Sequence, residues 1–507
     1  MKGIAQYLQA SLIVTSSGFQ IVDVRDLASD HTAKIEREPT DTRLPLAVST
    51  PKISLNTDGT PSLRCSNVDH SFIHSGLSLP AKGMSLMSSK SSRIEPRVVR
   101  YGGALFDENE IGRVNAQLSD PMGLVPGAKV MEFEQRVADY MGMQHGVMVN
   151  SGSSALMIAM RLANLPLGSE VITPALTFSS DVAAIYHVGC TPVFLDVGLS
   201  DYQVRVDQIP DVVSDKTRAI LIPDLVGGIC DWDEVRRYAD EHDLFVIHDS
   251  ADTLGGTLRG RKTATRADIS ITSFSIHHII TALGNGGMVF FDDDKYLDRA
   301  LSLRAWGRSS EKFMWGTQRE ASDGRFLEDL DGVPYDGLFI FEENAYGFIP
   351  NECGAAFGLG QMDKIDRLWK LREERFNWHT EFLSQHDDKF ILPTIVPETE
   401  TTWLCYPLQI RPETGWSRRK LQRQLEDSGI MSRVIFSGNI TRHPMLRNHE
   451  FRMHPEGLGT CDQIMEHGIM LPCHPTLSRE DCEYLYQVIG DFIEAGGEIT
   501  VDAPIQE

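Results

Sequence analysis

The feature that most constrains the fold is a regular alternation of short apolar segments and amphipathic segments between residues 145 and 291. Helical patterns such as 232–242 lie between the apolar segments. Seven segments are predicted to be strands, because each is short and mainly apolar or β-branched: 145–150, 169–173, 191–196, 218–223, 244–249, 269–274 and 287–291. Alternating strands and helices form a mainly parallel sheet with helices on both faces. The predicted fold class is therefore α/β.

Composition and periodicity divide the 507 residues into three parts. Residues 1–95 are rich in Ser, Thr, Pro and Asp and show weak periodicity, so they are predicted to be a disordered extension. Residues 96–360 contain all seven predicted strands and form the predicted large domain. Residues 361–507, which begin with a long helical pattern at 363–383, are predicted to form a smaller α+β domain.

Charge and cysteine content narrow the classes of partner and compartment. A net charge of -23 argues against nucleic acid or an anionic membrane surface as the main partner. Eight dispersed cysteines without a CxxC pair indicate reduced thiols in a cytosolic protein. No uncharged apolar run approaches the roughly 20 residues that a membrane helix needs. We therefore predict a cytoplasmic protein that binds neither membrane nor nucleic acid.

Small, aromatic and acidic residues follow the predicted strands, at the edge where ligands bind in sheets of this kind. Residues 151–154 (SGSS) open a helix whose backbone N–H groups can approach a phosphate; a plain N-cap turn is the alternative interpretation. Phe178 could stack on a planar ring, or it could belong to the core. Asp249 could pair with a protonated pyridine nitrogen, or it could cap a helix, and Asp252 follows three residues later.

Two adjacent histidines, His277 and His278, follow the sixth predicted strand. Adjacent histidines are usually structural or surface residues, and no third ligand with zinc-site spacing accompanies them, so no metal site is predicted. The glycines of 284–287 (GNGG) then predict a tight turn before the seventh strand.

The order of these features resembles the DegT/DnrJ/EryC1/StrS family of sugar-nucleotide aminotransferases, which have fold type I of the pyridoxal-phosphate enzymes. The resemblance covers residues 97–490 and is carried by stretches such as FEQRVADYMG, TPALTFSSDVAAI, HDSADTLGGTLRGRKTATRADISITSFS, GNGGMVFF and ECGAAFGLGQMDKID. It implies a large domain with a seven-stranded, mainly parallel sheet, a small C-terminal domain, and a homodimer that shares its active site between subunits.

The resemblance also implies roles for individual residues. The cofactor phosphate would be held by Gly152, Ser153, Ser154 and Ser273, with Phe178 stacked on the pyridine ring and Asp249 paired with its nitrogen. Anionic groups of the substrate would be held by Arg433, Asn439 and Arg442, and Arg304 would lie at the edge of the site. Arg suits forked contacts with phosphate, although a surface role for Arg433 is the alternative.

One departure from the family motif changes the expected chemistry. The family pattern DIxxFSFxxxKN places a Schiff-base lysine ten residues after its Asp, and the residue ten after Asp268 is His278. The loop before GNGG is one residue longer, so His277 is the alternative, and neither choice is a lysine. Imidazole cannot form the Schiff base, but it can act as a base near neutral pH.

A branch of the family with this replacement consists of pyridoxamine-phosphate-dependent 3-dehydratases of nucleotide-linked 4-keto-6-deoxyhexoses. Asp252 fits this branch, which carries Asp where aminotransferases often have His or Gln. The resemblance implies that the cofactor amine condenses with the 4-keto group, His278 removes a proton from C4′, and the C3 hydroxyl leaves as water. One subgroup of the branch carries a [2Fe–2S] cluster, but residues 306–326 contain no cysteine, so no cluster is expected and glutamate is the expected amino donor. A sugar-nucleotide aminotransferase and a non-catalytic or regulatory member of the fold are the alternatives.

Overall fold

The computed structural model describes eight stretches of the chain: residues 10–15, 18–23, 52–55, 61–64, 97–119, 123–319, 322–326 and 328–501. The chain divides into two compact units, Met1–Ser91 and Ser92–Glu507. In the first unit the structure describes two antiparallel strand pairs, Ala10–Thr15 with Gly18–Asp23 and Lys52–Leu55 with Pro61–Arg64. The rest of the predicted extension up to residue 95 lies outside the described residues, so its disorder stays a prediction.

The second unit is built around an eight-stranded sheet. In chain order its strands are β1 His145–Val149, β2 Glu170–Pro174, β3 Thr191–Leu195, β4 Thr217–Pro223, β5 Phe245–Asp249, β6 Ile269–Ser273, β7 Gly287–Phe291 and β8 Arg452–Met453. Their spatial order is β8-β3-β2-β4-β5-β6-β7-β1. Only β7 runs antiparallel to its neighbours, so the prediction of a mainly parallel sheet is confirmed.

The strand boundaries agree with the sequence prediction to within one residue for β1 to β7. The predicted number of strands was one too low, because β8 adds an edge to the sheet beside β3. This strand has only two residues, and both are exposed, so it carries no apolar period that sequence analysis could detect.

Helices cover both the sheet and the C-terminal part of the chain. They are α1 Glu108–Leu118, α2 Ala128–Met141, α3 Gly152–Ala163, α4 Ser179–His187, α5 Ile209–Val212, α6 Trp232–Glu241, α7 Leu297–Arg304, α8 Glu311–Met314, α9 Glu352–Met362, α10 Ile365–Leu383, α11 Arg418–Asp427, α12 Gly459–His467 and α13 Arg479–Glu494. Every residue of α9 is buried, which agrees with its mainly small and apolar sequence. In the described part of the chain, no helix is long and apolar enough to cross a membrane.

The C-terminal residues form their own small antiparallel sheet from Phe390–Ile391, Tyr406–Ile410 and Gly468–Leu471. Its apolar side chains pack with α11 and α13, as in Leu421 and Leu485. This arrangement of strands and helices agrees with the predicted α+β character. Residues 92–507 form one compact unit, so the boundary at 360 stays a prediction.

Candidate active site

A cavity of about 620 Å³ opens at the carboxyl ends of the parallel strands. This is the edge at which sheets of this class bind ligands. Nine residues singled out from the sequence line it: Gly152, Ser153, Phe178, Asp249, Asp252, Ser273, His277, His278 and Arg433.

The N-terminus of α3 forms one wall of the cavity, beside the end of β6. A Cβ on Gly152 would lie 2.6 Å from the Cβ of Ser273, so this contact requires glycine. The first N–H groups of a helix have no partner within the helix, and their partial positive charge favours a phosphate. Gly152, Ser153 and Ser273 are therefore arranged to hold an anion.

Gly287, the first residue of β7, permits this arrangement. It pairs with Ser273 on one side and with Val149 on the other, and a Cβ there would lie 2.4 Å from the carbonyl oxygen of Ser151. The N-terminal loop of α3 can therefore cross the sheet edge directly above β7. Ser154 is placed differently: its hydroxyl donates to Asn150 Oδ1 (2.7 Å), and its side chain does not line the cavity.

We expect Gly152→Ala to lower both thermal stability and affinity for pyridoxal phosphate, because its methyl group would displace Ser273 from the anion site. The expected loss of stability is about 1–3 kcal/mol, measured by thermal unfolding, with affinity measured by fluorescence titration. Gly490→Ala is the matched control, because this glycine lies in α13 with open space around it. The control should be neutral or slightly stabilising. Equal behaviour of the two variants would contradict the proposed packing.

Phe178 caps α4 and presents its ring to the cavity, where 55% of the residue remains exposed. A phenyl ring left exposed inside a cavity is available to stack on a planar ligand. One turn later in α4, Asp181 is fully buried and accepts a hydrogen bond from Thr177 Oγ1 (2.6 Å). Its other carboxylate oxygen is also buried and has no hydrogen-bond partner among the described residues.

Three carboxyl groups converge at the floor of the cavity. Burial raises the pKa of Asp181 to about 6 and that of Asp252 to about 7. Burial, together with the charge of Asp181, raises the pKa of Asp249 well above its ordinary value. Adjacent buried carboxyl groups cannot all carry charge unless a proton or a cation lies between them. The site is therefore electrostatically suited to a cation-bearing ligand at Asp249.

Asp252 is fixed by an unusual turn after β4. The N–H of Val226 donates to Asp252 Oδ2 (2.9 Å), and Val226 has a φ of 57°. A β-branched residue in the left-handed region is strained. The contact leaves Asp252 Oδ1 free to face the ring of His278, whose Nε2 lies 3.8 Å away.

The side chain of His278 is 21% exposed and lines the cavity. Burial, His277 and the Arg372 guanidinium together lower the pKa of His278 to about 4, so its imidazole is neutral near pH 7. Its Nδ1 is buried and has no hydrogen-bond partner within the described part of the chain. A neutral imidazole beside a carboxylate can accept a proton and then be stabilised as a cation.

His277 also lines the cavity, but in a different environment. Its Nδ1 would lie 2.5 Å from a Cβ at Gly102, and its ring lies 6.0 Å from that of Tyr101. Arg433 stacks on the same tyrosine, with its guanidinium carbon 5.3 Å from the Tyr101 ring centroid. His278 faces the carboxylate Asp252, whereas His277 packs against Tyr101 and Gly102. The two histidines thus differ in their neighbours, and His278 is the one whose ring faces a carboxylate in the cavity.

Three residues expected to bind substrate are placed away from the cavity. Arg304 is buried and donates to Glu134 Oε1 (2.9 Å), so its charge is already paired with a carboxylate in the interior. Asn439 Nδ2 donates to Asp462 Oδ1 (2.7 Å), which fixes a turn. Arg442 lies on the surface, 3.4 Å from the same carboxylate. The sequence does not show which partner an arginine or asparagine will take, and in each case a nearby acidic residue binds it.

Sequence analysis missed Asp181 and Arg372. Asp181 stands three residues after Phe178, so its helical spacing could have placed it on the cavity side of α4. Arg372 lies in the middle of a charged helix, and nothing in the local pattern distinguishes it from its exposed neighbours.

The cavity fits pyridoxal or pyridoxamine phosphate. The N-terminus of α3 with Ser273 suits the phosphate, Phe178 suits the ring face, and Asp249 suits a protonated ring nitrogen. The fit is supported by Asp181 and Asp249, two buried carboxyl groups that raise each other's cost of ionisation. The positive charge of a pyridinium would stabilise their charged forms.

Comparison with known proteins agrees with this geometry. The model of the DegT/DnrJ/EryC1/StrS aminotransferase family matches residues 105–490. A dTDP-4-dehydro-2,6-dideoxy-D-glucose 3-dehydratase from Saccharopolyspora spinosa is 31% identical over 408 residues, which cover 78% of this chain and 86% of the relative. A GDP-perosamine synthase from Caulobacter vibrioides is 26% identical over 358 residues, covering 70% and 88% respectively.

The fold is shared with solved structures. The structure of GDP-4-keto-6-deoxy-D-mannose-3-dehydratase from Escherichia coli, with bound hydrated pyridoxal phosphate, superimposes with a TM-score of 0.68 at 22% identity. The match covers 77% of this chain and all of the other. The architecture is thus that of the fold type I aminotransferases, and the chain belongs to the DegT/DnrJ/EryC1/StrS aminotransferase family of pyridoxal-phosphate-dependent enzymes.

Proposed function

We propose that the chain is a pyridoxamine-phosphate-dependent 3-dehydratase that removes the C3 hydroxyl of a nucleotide-linked 4-keto-6-deoxy sugar. The observation that carries the proposal is His278, which lies in the cavity where the family motif has its Schiff-base lysine. No lysine is among the described residues that line this cavity. The 3-dehydratase among the relatives supports the same reaction class.

Bound pyridoxamine phosphate would supply an amine that condenses with a ketone and a ring that accepts electrons. His278 Nε2 is the atom that accepts the proton, because it is neutral near pH 7 and exposed to the cavity. Asp252 Oδ1 then lies near enough to stabilise the charged imidazole. Asp249 would keep the nitrogen of the bound pyridine ring protonated, and Phe178 would orient the ring.

Arg433 is the residue proposed to hold an anionic group of the nucleotide sugar. Its side chain lines the cavity beside Tyr101. Within the described residues, its Nη1 donates to Ser432 O (2.7 Å) and lies 3.8 Å from the Glu426 carboxylate. Much of its charge is therefore available for a ligand. Glutamate is proposed as the amino donor, since no cysteine follows Trp306 before Cys353 to hold an iron–sulfur cluster.

The proposal includes a cytoplasmic homodimer, as the family resemblance implies. Several large apolar side chains in one segment are exposed on the chain and would be covered by a second subunit: Phe339, Phe341 and Tyr346.

Borohydride reduction of the protein with bound cofactor, together with a panel of substrates, tests the proposal. We expect borohydride treatment of the protein incubated with pyridoxal phosphate to leave no lysine carrying the cofactor, as checked by peptide mass spectrometry. We also expect glutamate-dependent release of the C3 hydroxyl from at least one sugar in a panel of nucleotide-linked 4-keto-6-deoxyhexoses. A cofactor fixed to a lysine would contradict the dehydratase assignment.

An aminotransferase is the second candidate, because a GDP-perosamine synthase is also among the relatives. The same panel distinguishes the two reactions, since an aminotransferase yields a 4-amino sugar that retains its C3 hydroxyl. A third candidate, a non-catalytic member of the fold, predicts binding of neither form of the cofactor.

A further inference from the structure

Arg372 is a buried cation that joins the C-terminal part of the chain to the histidine loop, residues 274–286 between β6 and β7. It lies in α10, and only 1% of the residue is exposed. Its Nη1 lies 3.1 Å from each of three carbonyl oxygens, those of Trp403, Leu404 and Cys473. Two segments distant in sequence, residues 403–404 and Cys473, are therefore held by a single nitrogen.

The other terminal nitrogen of the same guanidinium contacts the histidine loop. Arg372 Nη2 donates to the carbonyl oxygen of His278 at 3.0 Å. The N–H of His278 donates to Ser275 O, also at 3.0 Å. The backbone N–H and the backbone carbonyl of His278 are thus both hydrogen-bonded, while its ring faces the cavity.

This use of arginine is energetically unusual. A buried guanidinium is normally paired with a carboxylate, because removing a charge from water is costly. Within the described residues no carboxylate oxygen lies within 4.0 Å of Arg372, and its Nε has no hydrogen-bond partner. A helix that needed only packing at this position would use an apolar residue at lower cost. The retained charge therefore points to a role in the site.

The charged and titratable groups around the His278 ring come from four elements. They are Asp252 after β5, the adjacent His277, Arg372 on α10, and Asp249 at the end of β5 with its partner Asp181 on α4. Arg433 and Tyr101 lie beyond His277. Arg372 and His277 act to keep the imidazole neutral, whereas Asp252 favours its charged form.

We propose that Arg372 is a positioning residue for the proton transfer assigned to His278, because it fixes the backbone of the histidine loop. The positive charge of the guanidinium also disfavours protonation of the imidazole. This inference rests on the proposed function. Because Arg372 bonds the His278 carbonyl together with Trp403, Leu404 and Cys473, a shift of those C-terminal segments would move the base.

The test is a pH titration of His278 by NMR in protein labelled with carbon-13 at histidine Cε1, with His278→Asn used to identify the signal. In Arg372→Met we expect the titration midpoint to rise by about one pH unit, because a nearby positive charge is lost. Arg375→Met is the matched control: Arg375 lies one turn later in α10 and donates to Leu477 O, not to the histidine loop. Its His278 midpoint should match that of the unmodified protein.

Arg372→Lys separates position from charge. Lysine keeps the charge but cannot span four carbonyl groups in the same geometry, so we expect a near-normal midpoint. We also expect faster hydrogen exchange of the His278 and Ala282 amides, which donate to Ser275 O and Phe274 O, and about tenfold slower proton exchange at the cofactor. An unchanged midpoint in folded Arg372→Met would overturn the proposal. If that variant does not fold, unchanged amide protection and proton exchange in Arg372→Lys would do so. The titration requires no substrate, so its outcome is independent of whether the dehydratase assignment holds.

Discussion

His278→Asn is expected to abolish proton exchange at C4′ of bound pyridoxamine phosphate while leaving affinity for the cofactor nearly unchanged. The expected loss of rate is about 10²–10⁴-fold, the usual contribution of a positioned general base. Asparagine has no group that accepts a proton near neutral pH. It nevertheless preserves the loop, because the contacts of residue 278 with Ser275 and Arg372 are made by its backbone.

The measurement is incorporation of solvent deuterium into the cofactor, followed by mass spectrometry, with affinity measured separately by fluorescence titration. His277→Asn is the matched control, since the two histidines are adjacent and both line the cavity. We expect the control to retain most of the exchange rate, because His277 packs near Gly102 and Tyr101 and away from Asp252. If the control loses exchange and His278→Asn retains it, the base is His277.

The pH dependence of this exchange has a predicted direction. The pKa of His278 is lowered to about 4, so its basic form persists throughout the neutral range and is lost only as the pH falls toward that value. The pKa of Asp252 is raised to about 7, so its carboxylate, which stabilises the charged imidazole, is present mainly above that pH. Exchange should therefore increase as the pH rises through about 7 and decline steeply in acid.

The strands could be predicted from the sequence because each is a short, mainly apolar run. The β1–β7 boundaries consequently match to within one residue. The cavity residues Gly152, Phe178, Asp249 and His278 could also be located, because parallel strands bring their carboxyl ends to one edge. This rule needs only the position of a residue at the end of a strand.

Hydrogen bonds and ion pairs between residues far apart in the sequence could not be predicted. Arg304 binds Glu134, which lies 170 residues away, and Arg372 reaches a carbonyl 94 residues away. Neither contact leaves a local pattern, since only the packing of distant elements decides which acceptor an arginine meets. The edge strand β8 was missed for a similar reason, because two exposed residues pair with β3 through the backbone alone.

Asp249→Asn is expected to have opposite effects on function and on stability. Asparagine cannot keep a pyridine nitrogen protonated, so activity should fall by about 10²-fold or more. The same change removes one of two adjoining buried carboxyl groups. We expect it to raise the free energy of unfolding of the cofactor-free protein by about 1–3 kcal/mol near pH 7.

The sign follows from the raised pKa of Asp249. In the folded protein its carboxyl group stays protonated at pH values where the unfolded chain is already ionised, which penalises folding. The penalty is small at low pH, where both states are protonated, and grows as the pH rises above the ordinary aspartate value. The gain in melting temperature of Asp249→Asn over the unmodified protein should therefore be larger at pH 7 than at pH 4.

Asp181→Asn distinguishes the two effects. It removes the other member of the same buried pair, whose pKa is raised to about 6, so a similar pH-dependent gain in stability is expected. It leaves Asp249 in place beside the ring nitrogen, so loss of activity should be much smaller than in Asp249→Asn. Equal losses of activity would show that the carboxyl pair acts as one unit on the ring, and a loss of stability in both variants would contradict the charge repulsion. The proposed ligand would supply a positive charge beside the two carboxyl groups, so the protein is expected to be least stable without it. Binding of the cofactor would therefore offset the loss of stability that the two carboxyl groups cause in the cofactor-free protein.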